Sequence, residues 1–244
     1  MSYHYAVGVE RFTIFDNGSD DDTLNVIRSW PKRDLVTVIP WPYDAGQIPA
    51  YREMITNHRD TSEWCAFIDI DEFLCPKTSL RVPDALRSMP TDCGALYVHW
   101  LFFGSSGYRE RQPGLVTETF IKRAYNGFPP NRIGKTILRL RDAKAVFSPH
   151  LLNTSTKAMN DAGDPVELPE AQGQASHRLI ALHHYFCKSF EEWRIRRKLG
   201  RVSKPKDDPD FLRPDRLFEL HDANNVVDED AAKIMQQARA LFYK

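Results

Sequence analysis

The feature that most constrains this chain is an alternation of strand-like and helix-like segments between residues 9 and 70. The expected strands are Val9–Phe15, Leu35–Trp41 and Trp64–Ile70, and the expected helices are Thr23–Trp30 and Ile48–His58. The run that starts at Trp64 is almost continuously apolar, which is typical of a strand covered on both faces. Repeated strand–helix–strand segments predict a parallel sheet with crossover helices.

Two acidic turns follow the first and third of these strands: Asp16 to Asp22, and Asp69-Ile70-Asp71-Glu72. Ligands of open α/β sheets bind outside the carboxyl ends of the strands, so both turns indicate a site. Three carboxylates within four residues repel one another unless a positive charge lies among them. Mg²⁺ or Mn²⁺ shared with phosphate oxygens supplies that charge, and a solvated loop that caps the next helix is the alternative.

Composition bounds the class of protein. The chain has 244 residues, of which 42% are hydrophobic, and its 33 basic residues balance its 33 acidic residues. We expect a soluble α/β protein that does not bind nucleic acid. Cys65, Cys75, Cys93 and Cys187 show no metal-binding or redox spacing, which predicts reduced thiols and a cytoplasmic location. Peripheral association with the inner face of the membrane stays open.

Beyond residue 75 the patterns are less regular. We expect a helix over residues 83–89 and a polar, mobile loop over Asn153–Ser176. The other expected elements are the strands Ala95–Phe103, Val116–Arg123, Ile137–Leu140 and Leu179–Tyr185, and the helices Phe190–Leu199 and Asp228–Phe242.

Five segments follow one another along the chain: Gly8–Asp21, Trp64–Phe73, His99–Gly107, Ser148–His150 and His183–Ser189. Together and in this order they resemble segments of family 2-like and family 92-like glycosyltransferases. Gly8–Asp21 is similar to their first nucleotide-binding turn, and Trp64–Phe73 is similar to their DxD strand. His99–Gly107 resembles the acceptor side, and Ser148–His150 and His183–Ser189 resemble downstream elements. The resemblance implies a GT-A fold, a Rossmann-like mixed sheet flanked by helices. Relatives begin with one more strand and helix, so the first strand and most of the first helix are expected to be missing.

The resemblance also implies roles for individual residues. Nucleotide contacts fall to Asp16, Asn17, Asp20 and Asp69, and metal contacts to Asp69, Asp71 and His184. The acceptor is expected at Trp100, Gly104 and Ser105. For His184 and Trp100 the ordinary alternative is a core side chain.

An inverting transferase needs a carboxylate to deprotonate the acceptor hydroxyl. Glu118 is one candidate, and Glu72 and Asp92 are others, although for any one of them a surface ion pair is the simpler interpretation. Lys122, Arg123, Lys135 and Arg139 are candidates for phosphate contacts, or for exposed strand residues. The basic helix around Arg196 is a candidate for contact with a diphosphate or an anionic lipid, and a solvated helix face is the simpler interpretation.

The sequence therefore predicts a single glycosyltransferase domain over residues 1–244. Its nucleotide-binding half is residues 1–75, its acceptor-side half is 76–190, and a helical segment covers 191–244. The expected reaction is transfer of a hexose from a UDP- or GDP-sugar to a glycan or lipid-linked acceptor, with inversion and with Mn²⁺ or Mg²⁺. Nucleotidyl transfer and a non-catalytic, glycan- or protein-binding relative are the alternatives.

Overall fold

The computed structural model describes residues 1–77, 81–146, 148–167, 174–201 and 203–242. The α-helices are α1 Ser2–Ala6, α2 Thr23–Ser29, α3 Gln47–Asn57, α4 Val82–Arg87, α5 Val116–Thr119, α6 Phe190–Leu199, α7 Arg216–His221 and α8 Asp230–Phe242. The strands are β1 Phe12–Asp16, β2 Val36–Pro40, β3 Trp64–Ala66, β4 Glu72–Pro76, β5 Cys93–Phe102, β6 Lys122–Arg123, β7 Gly134–Arg139, β8 Ala143–Val146, β9 Leu152–Thr154, β10 Lys157–Asn160, β11 Ile180–His184 and β12 Val226–Val227. Short 3-10 helices cover Arg33–Leu35, Pro129–Arg132 and Leu140–Asp142.

A mixed sheet built around β5 organises the fold. On one side β5 pairs antiparallel with β7, which pairs antiparallel with β3. On its other side the first part of β5 pairs in parallel with β10, and its last part pairs in parallel with β11. β4 pairs antiparallel with β11 and completes the sheet. The predicted mixed sheet flanked by helices is therefore present.

The expected run of three parallel strands is only partly correct. β1 and β2 pair in parallel along their whole length, as the strand–helix–strand pattern predicts. The third strand, β3, instead joins the larger sheet through β7, with Trp64 opposite Arg139. Its partner comes from much later in the chain, and local periodicity cannot reveal such a pairing.

The core lies on both faces of β5, whose ten residues are all buried. Leu96, Val98 and Phe102 point into a cluster shared with α1, α4 and α8. Ala95 points into a second cluster on the other face, beneath α3 and β8. Alternate residues of a strand face opposite sides of a sheet, so β5 separates the two clusters. This burial fixes the strands that carry the candidate site.

Two further predictions were wrong in detail. Val116–Arg123 forms α5 followed by the short strand β6, not one strand. Within the expected mobile loop Asn153–Ser176, β9 and β10 are formed, and residues 168–173 lie outside the described part. β4 was not predicted. These short strands form because long-range partners satisfy their backbone groups, which composition does not indicate.

The cysteines carry free thiols, as the sequence predicts. All four cysteines are free, and Cys75, Cys93 and Cys187 are buried. Burial raises the pKa of Cys65 and of Cys75 to about 12, which makes both thiols poor nucleophiles. Within the described ranges, none of the helices has both the length and the apolar character that crossing a bilayer requires.

Replacing Gly134 by alanine is expected to destabilise the fold by about 3 kcal/mol. A Cβ atom at Gly134 would lie 2.0 Å from the Val98 carbonyl oxygen, and backbone of a buried strand cannot move aside cheaply. Urea denaturation measures the loss. Gly127→Ala is the matched control, because its Cβ would meet only the side chain of Tyr125, at 3.3 Å. Equal unfolding midpoints for the two variants would contradict the prediction.

Candidate active site

The acidic turn Asp69–Glu72 connects β3 to the first residue of β4. The backbone N–H of Glu72 donates to the Asp69 carbonyl at 3.0 Å, and the Asp69 N–H donates to Glu72 Oε2 at 2.7 Å. Ile70 is 94% exposed, whereas Asp71 is 5% exposed and Glu72 1%. The turn therefore shows its apolar residue to solvent and directs two carboxylates inward.

Asp69 is held by two side chains from other elements. Gln47, the first residue of α3, donates to its Oδ1 at 2.8 Å. Lys135 of β7 donates to its Oδ2 at 3.1 Å, and this lysine is only 2% exposed. Burial alone would lower the pKa of Lys135, but the neighbouring carboxylates of Glu72 and Asp69 raise it above the ordinary value. Lys135 is therefore a buried ammonium and not an exposed strand residue.

Glu72 occupies the inner side of the turn. Trp100 of β5 donates its indole N–H to Glu72 Oε1 at 2.7 Å. Burial raises the pKa of Glu72 to about 7, with Lys135 opposing the rise and Asp69 adding to it. Because both carboxylate oxygens already accept hydrogen bonds within the protein, this geometry gives Glu72 the role of holding the turn. The alternative role of Glu72 as a catalytic base stays a prediction.

Asp71 meets residues from the second half of the chain. Its Oδ2 lies 2.6 Å from Arg196 Nη1 of α6 and 3.7 Å from His184 Nε2 at the end of β11. The Asp71 carbonyl accepts a hydrogen bond from the Tyr185 N–H at 3.0 Å. Burial would raise the pKa of Asp71, but the contact with His184 and the charges of Arg196 and Lys188 hold it well below its ordinary value. Asp71 is therefore ionised and fixed beside an imidazole.

These ion pairs correct the electrostatic argument drawn from the sequence. Asp69 is compensated by Lys135 and Asp71 by Arg196, so the acidic turn does not need a bound cation to be tolerated. Among the residues that the structure describes, no three His, Cys, Asp or Glu side chains surround one point as a metal cluster would. Metal binding at Asp69, Asp71 and His184 stays a prediction.

One feature of the site does fit a cation. Both ring nitrogens of His184 are buried and make no hydrogen bond to the described residues. Its Nε2 faces Asp71 across 3.7 Å, and an imidazole with a carboxylate is a common ligand pair. A cation between them would take its other ligands from phosphate oxygens and water. The site therefore offers two ligands, not a complete cage.

The first acidic turn is exposed and stabilised by its own hydrogen bonds. Asp16 Oδ1 accepts from the N–H and the hydroxyl of Ser19, at 3.2 and 2.5 Å. Asn17 donates to the carbonyls of Trp41 and Tyr43, which joins this turn to the loop after β2. Asp20 is exposed. That loop leads to Gln47, which bonds Asp69, so one connected segment links the two acidic turns.

The predicted acceptor residues are packed in the interior. Trp100 is 8% exposed, and its ring centroid lies 4.5 Å from that of His184. Ser105 is 2% exposed, and its N–H donates to Asp222 at 2.6 Å. A Cβ at Gly104 would lie 2.5 Å from Asn224 Oδ1. The segment 222–224 therefore covers the glycine loop, and none of these three residues presents a surface to a sugar.

Glu118 lies in α5 and forms an ion pair with Arg239 of α8 at 2.7 Å. No described contact joins Glu118 to the acidic turn, so the structure supports the structural interpretation of this residue. Arg123 likewise pairs with Asp228 at 2.7 Å and is not directed at the acidic turn by any described contact.

The sequence did not single out two residues of the site, Gln47 and Arg196. Arg196 lies in a basic helix that the sequence suggested was solvated, and nothing local distinguishes it from its neighbour Arg197. The sequence signal for this part of the site was the pair His183-His184. His184 ends strand β11, directly before the segment that leads into α6.

The comparisons with known proteins place the chain among the glycosyltransferases. A family 92 protein of Ricinus communis is 33% identical over 113 residues, which are 45% of this chain and 20% of that relative. A family 92 protein of Oryza sativa subsp. japonica is 36% identical over 108 residues, or 43% of this chain and 18% of that protein. One from Arabidopsis thaliana is 29% identical over 109 residues.

The chain belongs to glycosyltransferase family 92, because the model of that family matches residues 1–146. The matched segments span only about a fifth of the curated relatives' own length. The matched region contains Asp69, Asp71 and Lys135 and ends before His184 and Arg196.

Proposed function

We propose that this protein transfers a sugar from a UDP- or GDP-sugar to a glycan or lipid-linked acceptor with the help of Mn²⁺ or Mg²⁺. Membership of family 92 supports the reaction class. The observation that carries the proposal is the convergence of Asp71, His184 and Arg196 at a buried turn. The proposed sugar is a hexose and the proposed course is inversion, both from the family resemblance.

In the proposed mechanism Asp71 and His184 would hold the cation, and Asp69 is the neighbouring carboxylate, with its side chain 36% exposed. When bound, the cation neutralises charge that develops on the departing diphosphate. Lys135 and Gln47 fix Asp69, and Glu72 with Trp100 fixes the backbone of the turn. Such positioning matters because small displacements of the reacting groups lower the rate strongly.

The proposed location is cytoplasmic, with peripheral membrane contact.

A donor screen tests the reaction. The protein is incubated with UDP- and GDP-sugars and Mn²⁺, and release of nucleotide is measured by mass spectrometry. We expect one donor to yield free nucleoside diphosphate in a metal-stimulated manner. Pyrophosphate as the product would indicate nucleotidyl transfer instead, and no product from any donor would count against both enzymes.

A second candidate is a non-catalytic family member that binds a glycan or a protein. Its supporting observation is that both aspartates already have cationic partners, Lys135 and Arg196. Thermal-shift titration with nucleotide sugars and Mn²⁺ separates the two functions. A folded sample that responds to no donor would favour the binding module.

A further inference from the structure

Three arginines gather at the C-terminal end of α6, and we name Arg196, Arg201 and Arg213 the arginine cluster. Arg196 lies within the helix, Arg201 follows its cap residue Gly200, and Arg213 returns to the helix end from the next segment. Arg213 donates to the Gly200 carbonyl at 2.5 Å. The cluster therefore brings together residues separated along the chain.

Gly200 makes this arrangement possible. Its φ is +77°, a left-handed conformation that favours glycine, and a Cβ there would lie 2.1 Å from the ring of Phe211. The chain can therefore turn sharply after α6 and fold back over the helix end. This return places Arg213 beside the other two arginines.

Arg196 connects the cluster to the acidic turn. Its Nη1 donates to the Phe186 carbonyl at 2.7 Å and lies 2.6 Å from Asp71 Oδ2. The guanidinium also stacks over the Phe186 ring, with its carbon 4.8 Å from the ring centroid. The side chain is 26% exposed, so a ligand can reach part of it.

Among the described residues, Arg196 is the member of the cluster that forms an ion pair. Burial together with the charges of Arg196 and Arg201 lowers the pKa of Arg213 to about 10, and the carboxylates of Asp71 and Asp69 oppose this shift. The buried Nε of Arg201 has no hydrogen-bond partner among the described residues. Guanidinium groups held together in this way favour a multiply charged anion such as a diphosphate.

We propose that the arginine cluster binds the diphosphate of the nucleotide, and that Arg196 changes partner when the ligand binds. Without ligand Arg196 neutralises Asp71. When a divalent cation takes Asp71, the guanidinium turns to the diphosphate oxygens. This inference rests on the proposed function, because it needs a nucleoside diphosphate and a cation at the same site.

The test measures binding by isothermal titration calorimetry, with and without Mn²⁺, for wild type, Arg196→Gln and Arg213→Gln. The probes are whichever of UDP and GDP the wild type binds, and the matching nucleoside without phosphate. We expect each variant to bind the diphosphate about tenfold more weakly with Mn²⁺ present, as loss of one charge-assisted contact predicts. Nucleoside binding should not change. Arg196→Gln should also bind Mn²⁺ alone more tightly than wild type, because Asp71 is released.

Arg197→Gln is the matched control, since Arg197 is the next residue of α6 and pairs with Asp215 outside the cluster. For Arg196→Gln, tighter metal binding combined with weaker diphosphate binding cannot arise from general misfolding. Arg213→Gln leaves the ion pair between Arg196 and Asp71 intact, so it tests diphosphate binding separately. If wild type binds a nucleoside diphosphate and both variants bind it equally well, the inference is wrong while the proposed function stands. If wild type binds neither UDP nor GDP, the proposed function itself fails.

Discussion

Asp71→Asn is expected to lower metal-stimulated nucleotide release at least about 100-fold. The asparagine keeps the shape of the side chain but removes the charge that faces His184 and Arg196. Arg196 would then carry an unpaired positive charge at the place where the cation should bind. Both the lost carboxylate and the repulsion act against the metal.

The measurement compares nucleotide release from the best donor with and without Mn²⁺, together with nucleotide binding in the presence of Mn²⁺. Asp60→Asn is the control, because Asp60 is exposed in the loop after α3. A urea denaturation curve checks folding, since Asp71 is buried and its backbone carbonyl also anchors Tyr185. A folded Asp71→Asn protein whose nucleotide binding is stimulated by metal as in wild type would refute the proposed role.

Elements with strong local signals could be predicted from the sequence. Helix α6 begins and ends where the pattern placed it, because Ser189 caps it and Glu192 completes a capping box. Helix α8 places Ala231, Met235 and Ala238 on one buried face, the spacing that the amphipathic pattern indicates. In these segments the information lies within a few neighbouring residues.

Long-range pairings could not be predicted in the same way. β10 is a short segment, Lys157–Asn160, and it becomes a strand because β5 offers it an unpaired edge. Val116–Thr119 has strand-like residues but closes a helical turn, with the Phe120 N–H bonded to the Val116 carbonyl. In both cases tertiary contacts outweigh local preference.

In the candidate site, too, the sequence indicates local features and does not indicate long-range contacts. The sequence marked the acidic turn, and in the structure Asp71 lies 3.7 Å from His184, while metal binding by Asp69, Asp71 and His184 stays a prediction. The sequence did not indicate which cations pair with these aspartates. Lys135, the partner of Asp69, is 66 residues away along the chain, and Arg196, the partner of Asp71, lies on another element. A carboxylate pattern can therefore locate a site without indicating what neutralises it.

The second large effect concerns acid stability and His4. His4 lies in α1 with its ring buried and stacked on Phe73, at 5.6 Å between centroids. Its Nε2 accepts a hydrogen bond from the Leu74 N–H at 3.2 Å, so the folded state needs the neutral imidazole. Burial, with a smaller effect from the positive chain terminus, lowers the pKa of His4 to about 3.

The direction in which stability changes with pH depends on whether the folded or the unfolded state binds the proton. Between the unfolded pKa of about 6.5 and the folded pKa of about 3, the unfolded chain holds a proton on His4 that the folded protein does not. The stability that neutral His4 contributes is therefore present above pH 6.5 and is lost as the pH falls. From pH 7 to pH 4 the expected loss from this group is about 3 kcal/mol.

His4→Gln should make the free energy of unfolding less dependent on pH by that amount, because glutamine keeps an acceptor oxygen for Leu74 but does not titrate. Urea denaturation at pH 7, 6, 5 and 4 measures both slopes. The variant should be less stable than wild type at pH 7, where it has lost the ring packing, and the difference should shrink or reverse at pH 4. His58→Gln is the control, since His58 lies partly exposed at the end of α3 beside Glu53. Parallel curves for wild type and His4→Gln would show that the imidazole is not held neutral, because only a proton excluded from the folded state can produce the difference in slope.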